Sequence, residues 1–265
     1  MSEMIDPSKH RPVERFEGLA AIYDRHRPDY PVPALQYILT RTGMTHGSRL
    51  VDVGCGTGIS SRLMAAQDLE VVGVEPNADM RRQAERTPCP SGVAPKYCEG
   101  RAEATGLPDH FANTVLAAQA FHWFAPPAAL AEFTRILKPG GWIALIWNEP
   151  DRNDAATDEF MRIQELHSPE SDVARRVQSK TGELLLTWPG LEQAKLVEFA
   201  HSQKLDREGL RGRALSASYA PKSAISKTRL GEDLDRLFDR FQIDDVMELR
   251  YRTPVYSAQK PGRAM

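Results

Sequence analysis

Residues 51–58 read Val51-Asp52-Val53-Gly54-Cys55-Gly56-Thr57-Gly58, and this stretch decides the fold. Leu50 to Val53 has the apolar, β-branched character of a short buried strand. Gly54, Gly56 and Gly58 permit a sharp turn and bring backbone close to a ligand. Ile59 to Gln67 predicts a helix with Ile59, Leu63 and Met64 on one face. Strand, glycine turn and helix in that order form a unit that commonly cradles a nucleotide-like molecule.

Outward from this unit, strand and helix signals alternate to residue 147. Glu70 to Val74 predicts a second strand, ending at Glu75. Asn77 is placed to cap a helix that carries Met80 and Ala84. A loop over 87–92 leads to a weak strand at Lys96-Tyr97-Cys98, and Thr114 to Ala118 predicts a fourth. Pro126-Pro127 opens a helix with Leu130, Phe133 and Leu137 along one stripe, and Lys138-Pro139-Gly140-Gly141 stops it. Trp142 to Trp147 predicts a fifth strand. Such alternation implies a parallel sheet covered on both faces. Beyond 150 the pattern changes. Residues 150–190 and 205–228 predict cap elements around the last strands, which are expected at 195–201 and 247–256. Leu230, Leu234, Leu237, Phe238 and Phe241 make a strong helical stripe, and the end of the chain is expected to fray. The expected fold is α/β and Rossmann-like, a mostly parallel seven-stranded sheet with helices on both faces and an inserted helical cap. The expected divisions are a lid at 1–34, a core at 35–149, cap and remaining core elements at 150–245, and a last strand and tail at 246–265.

The chain has 265 residues and a formal net charge of -2, so no global basic field points to nucleic acid. No apolar run approaches the roughly 18–20 residues of a membrane span. Residues 1–16 are charged and lack an apolar core, which argues against a secretory signal. Cys55, Cys89 and Cys98 show no metal spacing and read as reduced thiols in a cytoplasm. Cys55 reads as a small residue filling a tight turn.

Charge then narrows the ligand. A dinucleotide fingerprint needs a third glycine at position 59, where this chain has Ile59. Asp52 ends the strand two residues before the first glycine. A carboxylate there repels a pyrophosphate and attracts an ammonium or sulfonium, so the stretch favours a cationic adenosyl ligand, and S-adenosylmethionine fits. Glu75, 23 residues after Asp52 at the end of the next strand, stands where open α/β sheets place an acid for ribose hydroxyls. Ala102 and Glu103 lie in the loop beyond the third strand and can meet an adenine edge. Gln119-Ala120-Phe121-His122-Trp123-Phe124 follows the fourth strand, at the carboxyl edge where ligands bind in such sheets.

At this point the chain resembles the class I S-adenosylmethionine-dependent methyltransferases. Residues 51–58 match the family's first motif, Glu75 its ribose-binding acid, and Leu137 to Gly141 its post-catalytic turn. Tyr23-Asp24-Arg25-His26-Arg27-Pro28-Asp29-Tyr30-Pro31, Gln119 to Phe124, Ser216 to Pro221 and Thr253-Pro254-Val255-Tyr256 resemble the methyltransferase type 11 branch that includes trans-aconitate methyltransferase-like proteins. The resemblance implies S-adenosylmethionine as cofactor, S-adenosylhomocysteine as product, a small-molecule methyl acceptor, and an amino-terminal segment folded over the cofactor. Tyr23 is then a candidate for ring packing and Arg27 for the methionine carboxylate. The candidate cofactor set is Tyr23, Arg27, Asp52, Gly54, Gly56, Gly58, Glu75, Pro76, Met80, Ala102, Glu103 and Gln119. The candidate acceptor set is Tyr30, His122, Trp123 and Tyr219, with His122 the first choice for a base. The Tyr23–Tyr30 segment, short, charged and followed by three prolines, is expected to order on cofactor binding. Nucleic acid, membrane and metal are not expected as partners, and the chain is expected to be a monomer or homodimer. The absence of an Asn-Pro-Pro-Tyr segment argues against base-amine methylation, and no clear arginine cluster marks a polycarboxylate site. The competing readings are a nicotinamide-dependent oxidoreductase, which Ile59 and Asp52 oppose, and a non-catalytic S-adenosyl-binding regulator.

Overall fold

The computed structural model describes residues 18–89, 93–168 and 181–262. The expected features at 1–17, 90–92, 169–180 and 263–265 lie outside the described residues. Strands β1 (Arg49–Val53), β2 (Glu70–Val74), β3 (Lys96–Cys98), β4 (Ala112–Ala118) and β5 (Leu137–Ile146) pair in parallel in the order β3-β2-β1-β4-β5. β8 (Met247–Gln259) runs antiparallel to β5, and β7 (Glu192–Leu205) covers the other edge of β8. Eight strands form the sheet where seven are expected. The extra one, β6 (Glu149–Pro150), continues beyond β5 along the same edge of β8, pairing with Tyr251 and Arg252. Lys138 to Gly141 is not a turn between elements. It lies inside β5 as an irregularity, and the β4–β5 register jumps from Ala112↔Leu137 to Thr114↔Trp142.

Alternation along the central strands explains their unbroken apolar sequence. Val51, Val53, Val115, Ala117, Ile143 and Leu145 enter one core with Leu130, Phe133 and Ile136. Their neighbours Leu50, Leu116, Ala118, Ala144 and Ile146 enter a second core with Leu35, Ile38 and Met64. A strand covered on both faces needs no polar side, so period-2 patterning vanishes. The covering helices are α1 (Ala20–His26), α2 (Val32–Thr42), α3 (Ile59–Ala65), α4 (Ala78–Arg86) and α5 (Pro126–Ile136).

The later helices are α6 (Ala155–His167), α7 (Arg207–Leu215) and α8 (Ala224–Phe241), with a helical segment over 181–186. They build a third core on the far half of β8. Phe160 and Met161 of α6, Leu210 and Ala214 of α7, and Leu230, Leu234, Leu237 and Phe238 of α8 meet Met247, Leu249 and Tyr251. Each buried large side chain there contributes roughly 1.5–3 kcal/mol. α7 also packs on α1, which brings the cap over the carboxyl ends of β1, β2 and β4.

Candidate active site

The glycine turn leaves β1 at Gly54 and is held by amides of Gly54 and Cys55 donating to Val74 O, at 2.8 and 3.3 Å. Gly54 adopts φ 70°, and a Cβ there would lie 2.8 Å from Ala120 Cβ and 2.9 Å from Phe124 Cζ. Only glycine satisfies both the left-handed backbone and the crowding. Gly56, at φ 55°, differs: a Cβ there would meet nothing within 4 Å, because the turn opens there onto a cleft. The cleft is open to solvent.

Glu75 ends β2 and is 8 % exposed. Its Oε2 accepts from Gly56 N at 2.9 Å and its Oε1 from Asn77 N at 2.8 Å. Burial pushes the carboxyl up, while the two amides and Arg81 oppose that shift. Each oxygen keeps a lone pair for a hydroxyl. Asn77 caps α4, its Oδ1 accepting from Asp79 N and Met80 N. Thr57 lines the cleft, and its buried Oγ1 has no partner. A glycine cradle, a carboxylate held by two amides and an unused hydroxyl fit an adenosyl ligand.

The cleft brings together Tyr23, Arg27, Gly54, Gly56, Glu75, Pro76, Met80, Ala102, Glu103 and Gln119 of the expected cofactor set, and Tyr30 and Trp123 of the acceptor set. Glu103 also anchors α5, its Oε1 accepting from Ala125 N at 2.8 Å. Gln119 sits at φ 55°, a strained backbone for a non-glycine residue at the end of β4. Its Nε2 donates to Asn148 O at 3.3 Å.

Four expected residues lie outside the lining. Asp52 is fully buried, and its Oδ2 accepts from Ser60 and Ser61 hydroxyls at 2.7 and 2.6 Å. Burial raises its carboxyl to about 6, against the lowering effect of the two serines. It braces the first turn of α3 from behind the glycine turn, outside the cleft lining, and its buried Oδ1 has no partner among the described residues. Gly58 stands against Tyr97 and Ala84, where a Cβ would lie 2.9 Å from Tyr97 Cζ. Tyr219 donates to Gln164 Oε1 at 3.3 Å. His122 accepts at Nδ1 from Trp147 Nε1 at 3.2 Å, and burial followed by the Arg27 charge pushes it down to about 3. With Nδ1 occupied as an acceptor, the neutral ring carries its proton on Nε2. His122, the first choice for a base, thus gives its Nδ1 to Trp147 and stands behind the cleft lining.

Cys55, Ile59, Ser60, Asn77, Arg101, Ala118, Ala120, Phe124 and Pro28 complete the lining. Most flank a motif by one or two positions, so adjacency was the signal available for them.

Residues 51–145 match the methyltransferase domain family. That stretch is a methyltransferase domain. An uncharacterised methyltransferase-like protein of Schizosaccharomyces pombe is 29% identical to it over 271 residues, covering 98% of both chains. The structure of a type II methyltransferase candidate from Anaeromyxobacter dehalogenans superposes with a TM-score of 0.59 at 23% identity, over 89% of this chain and 99% of that one. A phosphoethanolamine N-methyltransferase of Haemonchus contortus, in complex with phosphomonomethylethanolamine and S-adenosylhomocysteine, superposes with a TM-score of 0.51 at 17% identity, over 94% and 57%. The cleft has the groups to hold S-adenosylmethionine. Among the described residues no helix is long and apolar enough to cross a membrane.

Proposed function

We propose that this methyltransferase moves the methyl group of S-adenosylmethionine to a small-molecule acceptor by in-line displacement, and that its residues act by alignment rather than as a base. The observation that carries this reading is the state of His122, neutral and with Nδ1 engaged by Trp147. When bound, the cofactor supplies an activated methyl on a sulfonium. Glu75 takes the ribose hydroxyls, Gly54 and Gly56 let the backbone approach, and Met80, Pro76, Ala102 and Glu103 enclose the adenine. Tyr23 and Arg27, stacked with the guanidinium 4.8 Å from the ring centroid, close the methionine end. Tyr30 and Trp123 border the acceptor, and Tyr219 acts through the cap. Alignment of the acceptor opposite sulfur can supply several kcal/mol, up to about 7–11 in ideal intramolecular cases. The cap and α1 keep water from the site as charge is neutralised.

Isothermal titration with S-adenosylhomocysteine is expected to show micromolar binding that Glu75→Ala weakens by about tenfold or more. A screen of small metabolites should then find acceptors by production of S-adenosylhomocysteine. Undiminished binding by Glu75→Ala removes the cofactor assignment. A steep salt-dependent affinity for RNA or DNA overturns the small-molecule reading.

A further inference from the structure

The described structure contains a pair of guanidiniums that sequence reading missed. Arg27 closes α1 and lines the cleft, and Arg213 lies on α7 where that helix crosses α1. Gly212 makes the crossing close: a Cβ there would fall 2.5 Å from the His26 ring. His26–Arg27 and Gly212–Arg213 are therefore brought face to face by the helix contact. Arg213 is 5 % exposed, donates from Nε to Tyr251 OH at 3.3 Å, and leaves Nη1 without a partner. Arg27 donates from Nη2 to Ser216 O at 3.2 Å and leaves Nε without a partner.

Among the described residues no carboxylate pairs with Arg27 or Arg213. Burial, then the Arg213 charge, pushes Arg27 down; against burial, Tyr251, Tyr219 and Tyr23 push Arg213 up. Arg213 is buried and Arg27 half-buried, and a buried guanidinium nitrogen left without a partner is costly unless a ligand completes it. The cofactor's single carboxylate can answer Arg27, which lines the cleft, and leaves Arg213 Nη1 for a second anion, which the acceptor can bring.

We propose that Arg213, beside Arg27, forms an oxyanion subsite that binds a carboxylate or phosphate group of the methyl acceptor. This deepens the small-molecule reading and rests on it. Guanidinium forks match both oxyanions, with the Tyr23 ring against Arg27 and the Tyr251 hydroxyl on Arg213. The subsite holds the acceptor by a group other than the methylated atom, so Arg213 is a specificity-determining residue.

The test compares wild type with Arg213→Met, which keeps the stem and removes the charge, and with Arg213→Lys. Thermal unfolding is followed at constant ionic strength with citrate, inorganic phosphate or chloride, and S-adenosylhomocysteine is titrated separately. Expected are a saturable rise in wild-type Tm with citrate or phosphate and none with chloride. The relative size of the citrate and phosphate responses tells which oxyanion fits. Arg213→Met should lose that response and keep S-adenosylhomocysteine affinity within about threefold. Arg213→Lys should retain part of the response. An oxyanion response that survives in Arg213→Met overturns the subsite. A tenfold loss of S-adenosylhomocysteine affinity in that variant overturns the acceptor assignment and gives Arg213 to the methionine carboxylate. Failure of wild type to bind S-adenosylhomocysteine would sink the methyl-transfer reading while leaving the anion response to be read by itself.

Discussion

His122 and Asp52 are the residues where local sequence and three-dimensional setting diverge most. A histidine at a strand end reads as a proton carrier because its ordinary pKa lies near neutrality. The Trp147 indole and burial remove that capacity by occupying Nδ1 and holding the ring neutral. His122→Asn retains an oxygen able to accept from Trp147, so turnover is expected to stay within about threefold of wild type, with no break in the pH–rate profile between 5 and 8. A loss near 10²-fold, the size expected on removing a general base, would return the base role to His122. Asp52 invites a stability test. Its folded carboxyl is raised to about 6 from 3.8, so between those values the folded state holds more protons than the unfolded state. Stability contributed by this group is therefore full below about pH 4 and is lost as pH rises through 6. The shift corresponds to about 2–3 kcal/mol. Asp52→Asn should unfold at higher urea than wild type at pH 7 and lose that advantage at pH 4. An equal difference at both pH values would refute the titration.

Among the elements, α1 shows how a polar segment becomes part of a site. Its sequence is charged and ends near prolines, which suggests a strap that orders only with ligand. The structure docks it by contacts with distant parts of the chain. Asp24 pairs with Arg62 of α3 at 2.7 Å, both side chains nearly buried, and also accepts from Thr87 Oγ1 at 2.8 Å. Arg62 in turn donates to Thr57 O at 2.6 Å, tying α1 to the glycine turn. Asn148 donates to Asp29 O at 2.7 Å and Gln203 to His26 O at 3.0 Å. Arg62→Ala leaves the Asp24 carboxylate without its cation and should cost on the order of 1–3 kcal/mol. Amides over 20–27 should exchange faster, and S-adenosylhomocysteine should bind several-fold more weakly. Unchanged exchange over 20–27 would show that α1 is held by its other contacts. The partners of Asp24 and Asp29 are far away in the chain, so no local pattern announces them.

For the molecule as a whole, the last strand closes the sheet. β8 pairs with β5 and β6 on one edge and with β7 on the other, and it supplies residues to all three cores. Thr253 Oγ1 donates to Asn148 Oδ1 at 2.8 Å inside the protein and couples this closure to Gln119 through the Asn148 carbonyl. Ending the chain after residue 246 leaves two sheet edges unpaired and uncovers apolar surface, which favours aggregation. The shortened chain is expected to lack a cooperative thermal transition and S-adenosylhomocysteine binding. A sharp transition in the truncated chain would mean that the Rossmann-like half folds alone.

The amino-acid sequence by itself determined the strand–turn–helix unit, Glu75, the five parallel strands and the helical stripes, because each follows from neighbours in the chain: backbone freedom at glycine, apolar runs and cap residues. It left β7 short, since that strand's largely exposed side chains carry little apolar signal beyond 195–201. It showed the charge of Asp52 but not its serine partners, because those hydroxyls reach Oδ2 only once α3 has folded. Only the tertiary structure decided the state of His122, the docking of α1 and the meeting of Arg27 with Arg213. Those depend on groups separated by 25, 38 and 186 positions, and burial together with the partner found there sets their chemistry.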